Sequence, residues 1–599
     1  MQFDPVEPEA LSSLRLDDIY QRLHRLDVVE RSITSPPEAE ENDPSDMKDE
    51  NDTIEALHQE RSALRNQAMV LSRPSIRPLT LLDLPIDLLR EILDQFPDPA
   101  IRDGLINWRF VGMQRDRRRE TRKTIQNLRL VCRVLNDLAS PLLCPILQVN
   151  LDQTSLDRAV RLSHSPRVAL GVRGISVGLQ CFPGELASDL TRFKEFRLSQ
   201  LQEVEDVCDW HLEGYQLALQ DCASEGGGDE EPDGEYREAL DNICRIRSSW
   251  GNYLDSGPNE VADEYQDILR TGFEKFGQSH RQQRQMLESQ SFVRSLASCM
   301  VRMPNATALG FSDNNTAPID FREPDLLLDN ALLSQLMITS LSWSEIEHTD
   351  DIHIAPARIL SELPIAIHNA GITLHDLYTG IFPCTRDQSL VSPEPKDPML
   401  WSNLRAACQS LRRASFADCL NNLPIRHNHL GPTDRLHINE YLAALCCSPH
   451  LETVHITMRP FGLNDGQGKK GNYDLSPVLA AVKWPCIRNI SILSVALDQA
   501  ALDALCAGLG SFVERLHIAD FELLEGSWVG ALDILRQKTI PQATVYFPFS
   551  IGGEFGPRPH QTRQERLFAS LQLPEWPPIF KQVEKYLSGA DMNNPLRAE

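Results

Sequence analysis

One spacing, apolar-x-x-apolar-x-apolar, recurs through the second half of the chain and constrains the fold more than any other feature. Its copies are Ala306/Leu309/Phe311, Ile338/Leu341/Trp343, Leu374/Leu377/Thr379, Leu411/Ala414/Phe416, Leu451/Val454/Ile456, Ile487/Ile490/Ile492 and Val513/Leu516/Ile518. Ile540/Ala543/Val545 is a looser copy, and Val172/Ile175/Val177 an earlier one. Apolar residues two apart lie on one side of a strand, so each copy predicts a short strand with a single buried side. Helical patterns at 441–447, 478–482 and 502–509 come before several copies, with a Pro- or Gly-bearing turn between. Helix–strand alternation of this kind predicts parallel strands.

From position 306 the copies start 32, 36, 37, 40, 36, 26 and 27 residues apart. The series resembles leucine-rich repeats, although regular ones run at about 20 to 29 residues. The resemblance implies an α/β solenoid with an open concave sheet, and the alternative is an α/β domain with helices on both faces of a parallel sheet. In the repeat reading the residues between the buried ones face a target: Arg413, Ser415, Thr453, His455, Thr457, Asn489, Ser491, Arg515 and His517. Arg and His in such a row suit a phosphorylated or acidic segment, because guanidinium pairs bidentately with phosphate.

Two earlier segments carry a second pattern. In the first, Leu84-Pro85-Ile86-Asp87-Leu88-Leu89-Arg90-Glu91-Ile92-Leu93, Pro85 suits a first helical turn and Asp83 and Asp87 bring negative charge to the helix's positive end. Ile86, Leu89, Ile92, Leu93 and Phe96 follow helical spacing, Leu88 adds a second apolar row, and Pro97 and Pro99 end the element. In the second segment Leu128, Val131, Cys132, Leu135, Leu138, Ala139 and Leu142 recur at three and four, which predicts a helix until Pro141 and Pro145.

Together these segments resemble the opening and closing helices of the F-box, the module that docks substrate receptors onto SCF-type ubiquitin ligases. The match is compound: Leu-Pro-x-acid-Leu-Leu-x-x-Ile, then Leu-Arg-Leu-Val-Cys-Arg, then Leu-Ala-Ser-Pro-Leu-Leu, in the family's order. It implies adaptor docking through Leu84, Pro85, Ile86, Leu88, Leu89, Ile92, Leu128, Val131, Cys132 and Leu135. The family's short connection is replaced here by residues 94–126, and Leu135 stands where Trp or Phe is frequent. That insertion carries Arg109, Arg115, Arg117, Arg118, Arg119, Arg122 and Lys123. A solvated helical linker with Asp116 and Glu120 as internal partners is favoured for it over a nuclear-import or nucleic-acid patch, since only Trp108 and Phe110 are available for base stacking. Contact with an acidic partner subunit is a third option.

At 599 residues the chain exceeds a single core. A net charge of -26 opposes general binding to nucleic acid or anionic membrane, and no apolar run approaches the ~20 residues of a membrane helix. An N-terminus without a basic and apolar leader, with fourteen cysteines in no repeated spacing, predicts a soluble cytoplasmic or nuclear protein with reduced thiols. Before the F-box-like segments lie an amphipathic helix over 11–33, a flexible acidic linker over 35–52, and a helix with Ile54, Leu57, Leu64, Ala68 and Leu71 at heptad positions. That second helix is a surface helix or a short coiled coil. Residues 168–179 predict a strand, and 186–300 charged helices interrupted by a solvated Gly and acid loop at 225–234.

Three patterns bear on chemistry. Gly174-Ile175-Ser176-Val177-Gly178 matches a nucleophile elbow, but β-branched neighbours favour a continuing strand. His427, His429, His437, Cys446, Cys447 and His450 lack the spacing of structural zinc, and Gly466-Gln467-Gly468-Lys469-Lys470-Gly471 lacks the first Gly and the final Ser or Thr of a phosphate loop. No cofactor or metal site is expected.

The sequence therefore predicts an α/β chain: a helical and acidic region over 1–72, an F-box over 79–150 with its insertion at 94–126, a mostly helical segment over 151–302, and an irregular leucine-rich-repeat-like region over 303–599. The order is similar to that of F-box proteins abundant in filamentous fungi, and residues 583–589 and 594–596 also resemble that group's tail. The resemblance implies a non-catalytic receptor that joins a Skp-type adaptor, and through it a cullin-RING ligase, to an unidentified target protein. A serine hydrolase built on Ser176 and an F-box scaffold that promotes no degradation are the alternatives.

Overall fold

The computed structural model describes residues 15–34, 46–72, 81–96, 98–102, 105–108, 111, 115–222, 233–252, 263–312, 325–346, 355–382, 399–416, 432–461, 463–464, 470–556 and 578–597. The chain forms two compact units, Met1–Gln95 and Phe96–Glu599. The boundary falls inside the segment read from sequence as one F-box.

In the first unit, helices α1 (Leu16–Thr34) and α2 (Asp46–Ser72) bury Ile19, Leu26, Leu57, Leu64 and Ala68 in one small core. Three of the five heptad positions are therefore buried, while Leu71 is exposed and Ile54 half-buried. Arg22 pairs with Glu60 at 2.9 Å, and Arg61 reaches both Asp27 and Glu30. The second helix begins at Asp46, inside the stretch read as linker, and residues 35–45 lie outside the described residues. Helix α3 (Ile86–Leu93) follows a short turn at Leu81–Asp83.

The second unit is mixed α/β around a nine-stranded, all-parallel sheet. Its strands are β1 (Ile146–Asn150), β2 (Gly174–Gly178), β3 (Ala308–Ser312), β4 (Asp376–Thr379), β5 (Arg413–Phe416), β6 (Thr453–Thr457), β7 (Asn489–Leu493), β8 (Val513–Ala519) and β9 (Thr539–Tyr546). They lie side by side in chain order, so each strand is joined to its parallel neighbour by a crossover connection. The register explains the recurring spacing. Its last two apolar positions form continuous rows, Ile175–Leu309–Leu377–Ala414–Val454–Ile490–Leu516 and Val177–Phe311–Thr379–Phe416–Ile456–Ile492–Ile518. The first position of each copy (Val172, Ala306, Leu374, Leu411, Leu451, Ile487, Val513) is buried in the same core. Each of these seven copies thus supplies three side chains to one face of the sheet.

Helices cover that face. Among them are α6 (Gln153–Ser163), α7 (Leu190–Cys222), α8 (Asp233–Asn252), α9 (Glu264–Glu288), α10 (Ser291–Val301), α11 (Asn330–Met337), α12 (Ile359–Asn369), α13 (Leu400–Cys408), α14 (Pro432–Leu445), α15 (Gln499–Gly508), α16 (Trp528–Lys538) and α17 (Pro578–Ser588), while α4 (Arg115–Val131) and α5 (Arg133–Ala139) come before the sheet. From α6 onward they feed the main core with residues such as Leu156, Phe276, Leu296, Ile367, Leu404, Leu442, Leu505, Leu532 and Val583. Aspartates cap several of them: Asp152 accepts from the Ser155 N–H, Asp263 from Gln266 and Asp498 from Ala501 at 2.7–2.9 Å.

Between β2 and β3 the long helices α7 to α9 bury Arg197 completely among Phe193, Phe196 and Phe276. Arg197 donates to the carbonyls of Met337 and Thr339, each at 3.1 Å, at the C-terminal end of α11. Burial pulls its guanidinium down to about 9, against the pull of nearby Glu345.

Several sequence expectations need correction here. Ile338/Leu341/Trp343 is not a strand: Leu341 makes a lone antiparallel bridge to Cys181, and Trp343 starts a helical turn whose indole donates to the Leu179 carbonyl at 2.7 Å. Within 168–179 only Gly174–Gly178 is a strand, preceded by the turn Pro166–Ala169. Ile146–Asn150, read as the tail of the F-box, is the first strand of the sheet. In β9 the register shifts, with Gln542 at φ 66°, so Val545 reaches the row beside Leu516 and Ile540 stays half-buried.

Candidate docking surfaces

Helix α3 in the first unit carries the first half of the adaptor pattern. Pro85 sits at its N-cap with φ -53° and ψ 147°, where no N–H is missed. Leu89 and Leu93 are buried, but Ile86 is 50% exposed, Leu88 45% and Ile92 39%. Pro85 is exposed and Leu84 half-buried. The helix therefore presents an uncovered apolar stripe beside the one it buries.

In the second unit the remaining adaptor residues lie at a corner. The helix expected to run through 128–142 breaks at Cys132, which is fully extended at φ -160° and caps α5 by accepting from the Leu135 N–H through Sγ at 3.5 Å. Asn136 donates to the Arg129 carbonyl, and Arg129 to Ser140 Oγ, both at 2.9 Å, which closes the angle between α4 and α5. Leu135 is buried and Leu128 and Cys132 are half-buried, while Val131 is 65% exposed and Leu130, absent from the predicted set, 83%. Val134 is also exposed. The set drawn from sequence omits Leu130 and Val134, although the two stand four apart, a spacing that shares a helix face.

The nine residues predicted to face a target all fall on the face opposite the helices. Their cross-strand rows are Asp376–Arg413–Thr453–Asn489–Arg515 and Tyr378–Ser415–His455–Ser491–His517, with Thr457 beside Leu493 in the next row. Neighbours in these rows bond to one another: Asn489 donates to Thr453 Oγ1 at 3.1 Å, Ser491 Oγ lies 3.3 Å from His517 Nδ1, and His517 packs edge-on to Tyr546. Arg515 is exposed, whereas His455 is buried by its neighbours.

Arg413 departs from the expectation. It is not open to a target but pairs with buried Asp376 at 2.5 Å and donates to the Ile106 carbonyl at 3.3 Å. The same carboxylate accepts from the Trp108 indole at 3.1 Å. Burial outweighs both partners and pushes Asp376 up to about 6.

The insertion is therefore not simply a solvated linker. Its first part lies on the polar face: Ile101–Arg102 and Leu105–Ile106 form a small antiparallel pair, and Ala100, Ile106, Trp108 and Val111 pack with Ile146, Ala308 and Tyr378. Trp108 stacks on Tyr378 with ring centroids 5.7 Å apart. Burying a side chain of this size stabilises by about 3 kcal/mol. The second part is α4, whose Arg118 is buried: its Nε donates to both Asp98 oxygens at 3.0 and 3.1 Å and its Nη1 to the Val111 carbonyl at 2.9 Å. Arg117, Arg119, Arg122 and Lys123 are exposed, and the side chains of Arg109 and Arg115 lie outside the described residues.

Comparison of the chain with family models, curated proteins and solved structures finds no match.

The remaining motifs are placed as follows. Ser176 is the middle residue of β2, paired on both sides to Gln148 and Gly310, so the five residues form a continuous strand and no elbow. His437 lies on α14 edge-on to Trp401, and burial pulls it down to about 4. Burial raises the Cys446 and Cys447 thiols. Among the described residues no three His, Cys, Asp or Glu side chains converge as metal ligands. His427, His429, residues 465–469 and most of the 225–234 loop lie outside the described residues. No described helix is long and apolar enough to cross a membrane.

Proposed function

We propose that this chain is a non-catalytic substrate receptor of an SCF-type ubiquitin ligase, acting in the cytoplasm or nucleus. The Skp-type adaptor docks on Ile86, Leu88 and Ile92 and on the corner formed by Leu128, Val131, Cys132 and Leu135. The observation that carries this reading is the coincidence of the F-box-like motif with apolar side chains left uncovered at three of its fixed positions, Leu88, Ile92 and Val131. Isolated apolar residues on a surface are ordinary, but a stripe on a short helix marks an interaction site. The sequential parallel sheet is read as an irregular leucine-rich-repeat-like solenoid, and its polar rows as the target surface. Rate enhancement would then come from proximity between target and ubiquitin carrier, with no chemistry on this chain.

A binding assay with purified Skp-type adaptor tests the reading. Wild-type chain should bind and the Leu88→Ala/Ile92→Ala variant should lose at least about tenfold in affinity. Equal binding by both proteins, or none by the wild type, removes the proposal.

A further inference from the structure

Residues Asp98 to Val111 connect two regions that the sequence treats separately. At one end Arg118 of α4 grips Asp98 and the Val111 carbonyl. At the other end a ring of bonds closes on the sheet: Trp108 to Asp376, Asp376 to Arg413, and Arg413 back to the Ile106 carbonyl. We infer that this segment is a strap that locks α4, and with it the corner at Cys132, onto the polar face as one rigid piece.

The sheet is shaped to receive it. A Cβ on Gly310 of β3 would lie 2.5 Å from the Trp108 ring, and one on Gly174 of β2 would lie 2.5 Å from Ile106 Cδ1. Neither glycine has the positive φ that would demand its type for backbone reasons. Close approach of the strap is what their missing side chains permit. Ala308 is similarly small and belongs to the same cluster.

Two consequences follow. The strap lies over β1 to β5, so a partner on the polar face is confined to β6–β9, where Thr453, Asn489, Arg515, Ser491 and His517 remain. If the corner docks an adaptor, as proposed above, the strap also fixes the spacing between adaptor and target. The lock itself does not rest on that reading.

Amide hydrogen exchange on the full chain tests the lock. In Trp108→Ala, exchange across residues 98–131 should accelerate on the order of tenfold while β6–β8 stay protected. Gly310→Ala should do the same from the sheet side, because its methyl displaces the indole. The double variant should exchange no faster than Trp108→Ala alone, since the clash no longer exists. Trp108→Phe, which can stack on Tyr378 but cannot donate to Asp376, should fall between wild type and Trp108→Ala. Acceleration limited to 98–111 with α4 unchanged would overturn the inference, as would equal acceleration throughout the sheet. If the expected pattern holds but the wild type does not bind adaptor, the lock stands and the receptor reading fails.

Discussion

The indole of Trp108 donates a hydrogen bond to the carboxylate of Asp376 across 268 residues of sequence, and the bond is buried. Burying a carboxylate costs more than its two partners return, so Asp376 is pushed up to about 6 from an ordinary 3.8. A carboxylate raised on folding contributes stability that is complete below about 3.8 and is lost as pH climbs through about 6. Asp376→Asn removes this dependence and keeps an acceptor for Trp108. The stability difference between wild type and variant, from urea midpoints, should shift toward the wild type by on the order of 2–3 kcal/mol between pH 7 and pH 4. Asp533 and Glu554, whose carboxyls are held low by hydrogen bonds, push the opposite way, but they are common to both proteins and cancel.

Leu88 and Ile92 are exposed on a helix whose packing rests on Leu89 and Leu93. Replacing the exposed pair by Ala should change the thermal midpoint little, within about 0.5 kcal/mol of stability. Adaptor affinity should fall by about 2 kcal/mol or more, roughly thirtyfold. Leu89→Ala should instead cost about 2–5 kcal/mol of stability. Calorimetry and binding measured on the same preparations separate the two effects.

Arg197 saturates two carbonyls at the end of α11 from a site with no solvent exposure. Arg197→Leu fills similar volume and strands both acceptors. It should destabilise by about 2–5 kcal/mol, read as a drop in the denaturant midpoint. Arg197→Lys recovers only part, since one ammonium cannot reproduce the planar fork among three phenyl rings.

Ser176 occupies a strand interior with neighbours on both sides. A fluorophosphonate probe should leave the purified chain unlabelled at this residue. Labelling that Ser176→Ala abolishes would establish the nucleophile that the strand geometry disfavours.

Much of the sheet was legible because its rule is local. Three apolar positions in six residues specify a strand and its buried side, so Leu377, Val454 and Ile490 could be assigned from their own neighbours. Ile338/Leu341/Trp343 meets the same rule and breaks it, because Trp343 spends its indole N–H on Leu179 and the segment turns helical. The polar rows followed from the same alternation. Arg413 did not: its partners Asp376 and Ile106 are distant in sequence, and no periodicity links them. The break at Cys132 was hidden for a related reason, since Leu128, Val131 and Leu135 keep helical spacing straight through the corner. The signal available in retrospect was the pair of glycines in β2 and β3, each at a position where a strand ordinarily gains from a side chain.

Strands that pair in the order they are written can also assemble in the order they are made, each new strand adding to the edge left by the last. Trp108 cannot join in this way. It leaves the ribosome 268 residues before Asp376, an interval of roughly 15–50 s at ordinary elongation rates. For that time an exposed tryptophan and a basic helix precede the sheet that receives them. The nascent chain is thus most open to chaperones, and to wrong apolar partners, through the middle of its own synthesis.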